Sequence, residues 1–188
     1  MKMNSLVMAA MLPLVAMITN VRNWASDRNI IKGCLPIDQS IKLFEEFGEL
    51  CGNMARGRDV TDGIGDVFVV FIILCAQYNY DFTPHLGEVR LDDPESLVGN
   101  DLSHYSDKQV ALSLQMALGA ACLTCNRDST VIVLSLLTEL CRRYNLSLLE
   151  ALTQSYDEIK DRKGVMWNGS FIKEADITDE IRAAVAAQ

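Results

Sequence analysis

Ten consecutive apolar residues, Val67 to Ala76, run through the 188-residue chain. A run this short does not cross a bilayer. As a helix it is apolar on every side, so other elements must bury it on most of them. A helix is therefore predicted from about Thr61 to Asn79, with amphipathic partners around it. The nearest partner starts at Asp38, a candidate N-cap, and reaches about Arg56. It carries two apolar rows at helical spacing: Ile37, Ile41, Phe44, Gly48, Cys51 and Ala55 in one, Leu43, Phe47, Leu50 and Met54 in the other. Between them lies a polar stripe of Lys42, Glu46, Glu49 and Asn53.

The remaining segments read the same way. Leu6 to Ile18 is nearly all apolar behind Lys2 and is interrupted by Pro13. A signal peptide is the competing reading, but Trp24 and the charged Arg22, Asp27 and Arg28 continue the stretch as an amphipathic helix. A buried first helix and a cytoplasmic chain with reduced thiols are the expectation. Further helices are predicted over about 107–125, 129–144 and 147–163, the last opened by the capping-box pair Ser147 and Glu150. Residues 164–169 read as a turn, and Thr178 caps a short alanine-rich helix. No segment shows sustained strand alternation, and 11 Gly and 4 Pro are few for a loop-rich β protein. The expected fold is all-α, a bundle of about six main helices in one domain over 1–188. The active half is about 1–86, the connector 87–106, and the second half with its tail about 107–188.

The two halves show an internal repeat. Leu74-Cys75-Ala76-Gln77-Tyr78-Asn79 matches Leu140-Cys141-Arg142-Arg143-Tyr144-Asn145 at an offset of 66, with 7 identities over the 25 positions of 62–86 against 128–152. At that offset Glu46 faces Leu112, Glu49 faces Gln115 and Asp66 faces Ile132. A duplicated helical hairpin is expected, with its carboxylates kept in the first half alone.

A net charge of −8 without a basic run argues against a nucleic-acid coat. Two histidines leave little room for zinc or triad chemistry. The six cysteines fall mostly inside apolar patterns and read as small buried hydrophobes, with Cys122 and Cys125 a lone CxxC. Acidic residues carry the stronger signal. Glu46 and Glu49 lie one turn apart on one helix, and Asp62 and Asp66 one turn apart on the next. If the helices are antiparallel neighbours, four carboxylates converge, and they repel unless protonated or bridged by a cation. An oxygen-only set selects Mg²⁺, with Mn²⁺ as the other candidate.

These motifs, Glu45-Glu46-Phe47-Gly48-Glu49 and Asp62-Gly63-Ile64-Gly65-Asp66, resemble the signature of the all-α NTP pyrophosphohydrolases, the MazG-like and dimeric-dUTPase superfamily, which carries EExxE on one helix and ExxD on the next. The tail from Ile159 to Glu174 resembles tails of phage and bacterial members. The resemblance covers about 20–82 and 135–176. It implies Mg²⁺-dependent hydrolysis of a nucleoside triphosphate, a deoxynucleotide favoured, to monophosphate and pyrophosphate. The implied metal set is Glu46, Glu49 and Asp66, with Asp62 standing in for the ExxD glutamate whose place is held by Gly63. Restoring that carboxylate as Gly63→Glu is expected to keep or raise activity. Glu45 is the candidate base for the attacking water. Lys42, Arg56, Arg58, Lys163 and Lys173 are the candidate triphosphate contacts, with Asn168 and Trp167 of the Trp-Asn-Gly turn beside them. Homo-oligomerisation is a further expectation, and neither nucleic acid nor membrane is expected as a partner. The alternative is a non-catalytic helical interaction module whose site has decayed.

Overall fold

A computed structural model describes residues 5–89 and 102–186. Residues 90–101, most of the expected connector, lie outside the described residues. Among the described residues the fold is all-α apart from one small hairpin. Helix α1 spans Ser5–Asp27, α2 Ile30–Gly33, α3 Pro36–Arg56 and α4 Thr61–Gln77. After them come α5 (Asp107–Leu123), α6 (Arg127–Arg143) and α7 (Leu148–Ile159), then strands β1 (Gly164–Trp167) and β2 (Ser170–Lys173), and finally α8 (Asp179–Ala186). No described helix is long and apolar enough to cross a membrane.

The apolar run forms the axis of the bundle. Every residue from Val67 to Ala76 is buried, and α4 packs against α1, α2, α3, α6 and α7. Two glycines set its closest approaches. A Cβ at Gly65 would lie 2.1 Å from Ser155 Oγ and 2.2 Å from the Ala151 carbonyl oxygen, so α7 is in backbone contact there. A Cβ at Gly63 would lie 3.1 Å from the Leu50 Cα, which brings α3 almost as near.

Helix α3 turns its Leu43, Phe47 and Leu50 row inward and leaves Ile37, Ile41 and Phe44 exposed. Its start differs from expectation. Leu35 is the N-cap, Pro36 occupies the first turn, and Asp38 reaches back to accept the Leu35 N–H at 2.9 Å. Proline at the first helical position loses no intrahelical bond, so the N-cap falls three residues earlier than expected. At the head of α4 it is Asp59, not Asp62, that accepts from the Thr61 amide, at 2.9 Å. The capping box at α7 is as expected, with Glu150 accepting the Ser147 N–H at 2.7 Å and Ser147 Oγ the Glu150 N–H at 3.1 Å.

The offset of 66 maps α4 onto α6 residue for residue. Both helices end alike. Asn79 and Asn145 take left-handed φ values of 54° and 56°, and the Tyr80 and Leu146 amides each donate to a cysteine carbonyl, Cys75 and Cys141, at 2.9 Å. The shared Leu-Cys-x-x-Tyr-Asn phrase is thus a helix-ending device. Each of these helices also forms a hairpin with its predecessor, α3 with α4 and α5 with α6. In the second half, Glu139 is fully buried on α6. Burial raises its carboxyl, but hydrogen bonds from Arg142 and Arg143 outweigh that and hold it below the usual range. Arg143 also donates to the Leu102 and Tyr105 carbonyls at 2.7 and 2.6 Å, which anchors the chain where it re-enters the bundle.

The thiols are all free. Cys75 and Cys141 are buried, as expected, while Cys51 and Cys122 are half-buried. Cys125 of the CxxC lies with its Sγ 3.1 Å from Cys75.

The tail departs from the expected fold as well. Residues 164–173 form an antiparallel pair with Met166 opposite Phe171 and Gly164 opposite Lys173. Asn168 and Gly169 connect the strands with positive φ values of 48° and 77°, the geometry of a two-residue primed turn. The expected turn is there, but it joins two strands. Four residues a side carry too little alternation to register as strands on their own.

Candidate functional site

A cavity of about 440 Å³ runs along the groove between α3 and α4. One wall is the polar stripe of α3, and the floor is Val69, Val70 and Ile73 of α4. The hairpin closes the opposite side with Met166 and Phe171, which share a strand face. Its tip rests on the start of α3, because a Cβ at Gly169 would meet the Asp38 carboxylate at 2.7 Å. Helix α1 braces this side. Trp24 Nε1 donates to the Ile159 carbonyl at 2.8 Å, and Arg28 donates to the Arg162 and Lys160 carbonyls at 2.7 and 2.8 Å. These bonds engage carbonyls at and just past the end of α7, the Ile159 carbonyl also accepting the Arg162 N–H at 2.8 Å, and tie α1 to the segment that leads into the hairpin.

Glu45, Glu46, Glu49 and Asp66 all line the cavity at one end. Asp66 projects from the start of the apolar run. Burial, the charges of Asp62 and Glu46, and a smaller push from Glu158 drive its carboxyl up to about 7, against a contact with the Ser155 hydroxyl that lowers it. Asp62 is also raised, by burial, then Glu158 and Asp59, with Arg162 opposing. Its Oδ1 is buried with no hydrogen-bond partner. Lys42 Nζ stands 2.7 Å from Glu46 and 3.0 Å from Glu45. Burial alone would lower the Lys42 ammonium; the two glutamates outweigh it and hold it above its usual value. The site is therefore a crowded anionic pocket in which a single lysine supplies local neutralisation to two glutamates.

Among the described residues, no three acidic, cysteine or histidine side chains converge closely enough to grip a metal ion as they stand. The donor set still suits a hard cation. It is all oxygen, it is crowded enough to keep one proton near neutral pH, and it opens onto a cavity. Mg²⁺ keeps several waters and completes its shell from substrate phosphates, so it does not require a closed protein cage.

The expected basic contacts divide. Lys42 and Lys173 line the cavity. Arg56, Arg58, Lys163, Asn168 and Trp167 do not border it. Arg56 turns back to its own helix, donating to the Gly52 carbonyl at 2.8 Å, and Arg58 lies exposed beyond the helix end. Asn168 is spent on the turn. Trp167 and Lys163 are displaced by strand geometry: side chains alternate, and Met166, Phe171 and Lys173 take the cavity face. Gly63 points at Leu50 and not at the carboxylates. A glutamate there starts against the Leu50 backbone, which must give by a few tenths of an ångström, and its Cβ is directed at Leu50, so the geometry does not favour the expected gain from Gly63→Glu.

Sequence reasoning missed Gln39, Cys34, Arg162, Met166 and Phe171 as cavity residues, and Glu158 as an electrostatic neighbour. Arg162 and Glu158 had a usable signal, since they sit at and just past the end of a helix whose start was legible.

No protein-family model and no solved structure matches the chain. A curated relative from Haemophilus phage HP1 (strain HP1c1), described as an uncharacterized 18.2 kDa protein in the rep-hol intergenic region, is 45% identical over 73 residues. The match covers 38% of this chain and 45% of the relative, so less than half of that protein's length is shared.

Proposed function

We propose that the chain is a Mg²⁺-dependent nucleoside triphosphate pyrophosphohydrolase, cleaving a nucleoside triphosphate, a deoxynucleotide by preference, to monophosphate and pyrophosphate. The observation that carries this reading is Asp66. A carboxyl pushed up to about 7 by burial, Asp62 and Glu46, at one end of a cavity with an apolar floor, supports a cation there, since a cation would relieve that crowding. Glu46, Glu49 and Asp66 would hold the ion, with Asp62 behind them. Mg²⁺ held by these carboxylates would supply charge neutralisation for the phosphate oxygens and a site for the attacking water. Glu45 is exposed and takes the water's proton once Lys42 has moved from the glutamates to the incoming phosphates. Lys173 and Arg162 supply positive charge from the opposite wall.

The test is pyrophosphate release from a panel of ribo- and deoxynucleoside triphosphates with and without Mg²⁺. Metal-dependent release that Glu49→Gln abolishes, with an unchanged circular dichroism spectrum, is the expected result. Release that is equal in Glu49→Gln overturns the site.

One observation favours partner binding as a second reading. Ile37 and Ile41 of α3, with Leu112, Met116 and Leu123 of α5, are exposed apolar side chains. If they cover another surface, sedimentation of the wild type will show association that Ile41→Lys and Met116→Lys remove. A monomer at every concentration with no partner captured contradicts it.

A further inference from the structure

The reaction above leaves the CxxC of Cys122 and Cys125 unused, and the close contact of Cys125 lies outside that motif. Cys125 sits in the irregular link between α5 and α6, half-buried, with Thr124 and Asn126 exposed on either side. Its Sγ is 3.1 Å from the Sγ of Cys75, 50 positions away in sequence and buried in the last turn of α4. The Cys122 thiol is engaged elsewhere, near the Ser40 hydroxyl of α3, and burial pushes it up. Two free thiols from separate elements are thus in direct contact. One is fixed in the central helix, and the other is on a link that solvent reaches.

The surroundings suit a thiolate. Thr130 of α6 is fully buried, and its Oγ1 has no hydrogen-bond partner among the described residues. It lies close enough to both sulfurs to favour their charged forms. The Tyr80 hydroxyl is also buried without a partner and borders the same pair. Buried hydroxyls are normally engaged. These two gain a use when one sulfur is charged, since each can then donate to it. That sulfur is Cys125: the Cys75 thiol donates to it and holds it below the usual thiol range, against burial, with Thr130 adding to the effect. Burial first, and then Cys125, pushes Cys75 well up, so Cys75 keeps its proton.

We infer that Cys125 and Cys75 form a reactive dithiol that takes a low-molecular-weight disulfide, such as oxidised glutathione, as its oxidant and closes to an intramolecular disulfide. The Cys125 thiolate attacks one sulfur of the small disulfide, whose S–S bond breaks; a mixed disulfide forms and one small thiolate leaves. That thiolate takes the Cys75 proton. The Cys75 sulfur then attacks the Cys125 sulfur and expels the second small thiolate, which takes up the proton that Cys125 had released to solvent. Two electrons pass from the dithiol to the small disulfide, which ends as two thiols. The half-buried sulfur makes the first attack, and the buried one resolves it.

The new bond ties the end of α4 to the link between α5 and α6. Neither cysteine lines the cavity. Asp66 lies nine residues back along α4, about 13 Å along the axis. The bond therefore clamps the two halves without entering the candidate site, and the inference stands independently of the pyrophosphohydrolase reading.

The experiment incubates the intact reduced protein with excess oxidised glutathione and blocks the remaining thiols with N-ethylmaleimide as the chain is unfolded in guanidinium. Mass spectrometry then reads the intact mass and the linkage, and differential scanning fluorimetry of an unblocked sample reads Tm. The expected product has lost two hydrogens, carries no glutathione, joins Cys75 to Cys125 and melts about 10 °C higher, a gain that dithiothreitol reverses. Cys122→Ser should close the same bond. Cys125→Ser should close none, and Cys75→Ala should hold one glutathione on Cys125, since attack survives there and resolution does not; either of these two suffices if the other fails to fold. A bond between any other pair, glutathione left on Cys125 of the wild type, or a wild type whose thiols are all blocked overturns the inference. A Cys75–Cys125 bond that leaves Tm unchanged overturns the clamp.

Discussion

Replacing Asp66 with asparagine removes a crowded negative charge and keeps the side chain's shape. In the metal-free protein this should stabilise the fold. The Asp66 carboxyl is pushed up from 3.8 to about 7, by burial first and then by Asp62 and Glu46. Between those two pH values the unfolded chain releases this proton while the folded chain keeps it. Folding stability therefore falls as pH rises through that window and stays low above it. Each pH unit of displacement is worth about 1.4 kcal/mol, which sets an upper figure of about 4 kcal/mol. Asp66 is partly exposed, and solvent screening halves this to about 2 kcal/mol. For a chain of this size that is a gain of about 5 °C in Tm. Differential scanning fluorimetry in chelator should show Asp66→Asn melting above wild type at pH 8, the gap closing towards pH 4. The same variant should lose turnover, so stability and activity move in opposite directions. A Tm at pH 8 equal to or below wild type would refute the reasoning, because then the charge is not held at a cost.

Three further substitutions probe the frame of the site. Gly65→Ala should cost about 3 kcal/mol or more, read by chemical denaturation, since its Cβ has to displace the Ala151 backbone; a loss under 1 kcal/mol contradicts the close approach of α4 and α7. Gly63→Glu should melt lower than wild type and gain no activity, because its side chain meets Leu50 first. Glu139→Ala should cost about 3 kcal/mol, as it strips Arg143 of its buried partner and loosens the chain at Leu102; retained stability in urea would remove Glu139 from the frame.

Much of the frame was readable before any coordinates. Val67 to Ala76 admits no solvent-facing side, so α4 had to be central. The offset repeat fell on α4 and α6 because an asparagine in the left-handed region ends both in the same way. That Asp66 of α4 shares a cavity with Glu45, Glu46 and Glu49 of α3 followed from one short connection, while Asp62 does not border it. What escaped reading was what depends on tertiary neighbours. Both rows of α3 are apolar, so periodicity cannot say whether Leu43 or Ile41 faces the core. Arg56 and Arg58 are close to the carboxylates in sequence, yet the helix end carries them away, while Arg162 arrives from α7. The Asn168-Gly169 pair announced a two-residue hairpin, but strands of four residues gave it no flanking pattern. Gln39 looked like an ordinary helix polar residue, and only its burial against Cys34 sets it apart.

The most direct measurement is ³¹P NMR of the products formed from a deoxynucleoside triphosphate mixture with Mg²⁺. Attack of water at the α-phosphorus predicts monophosphate and pyrophosphate in equal amounts, absent in chelator and absent in Glu49→Gln. Nucleoside diphosphate with inorganic phosphate, or no metal-dependent turnover of any nucleotide, would contradict the central claim.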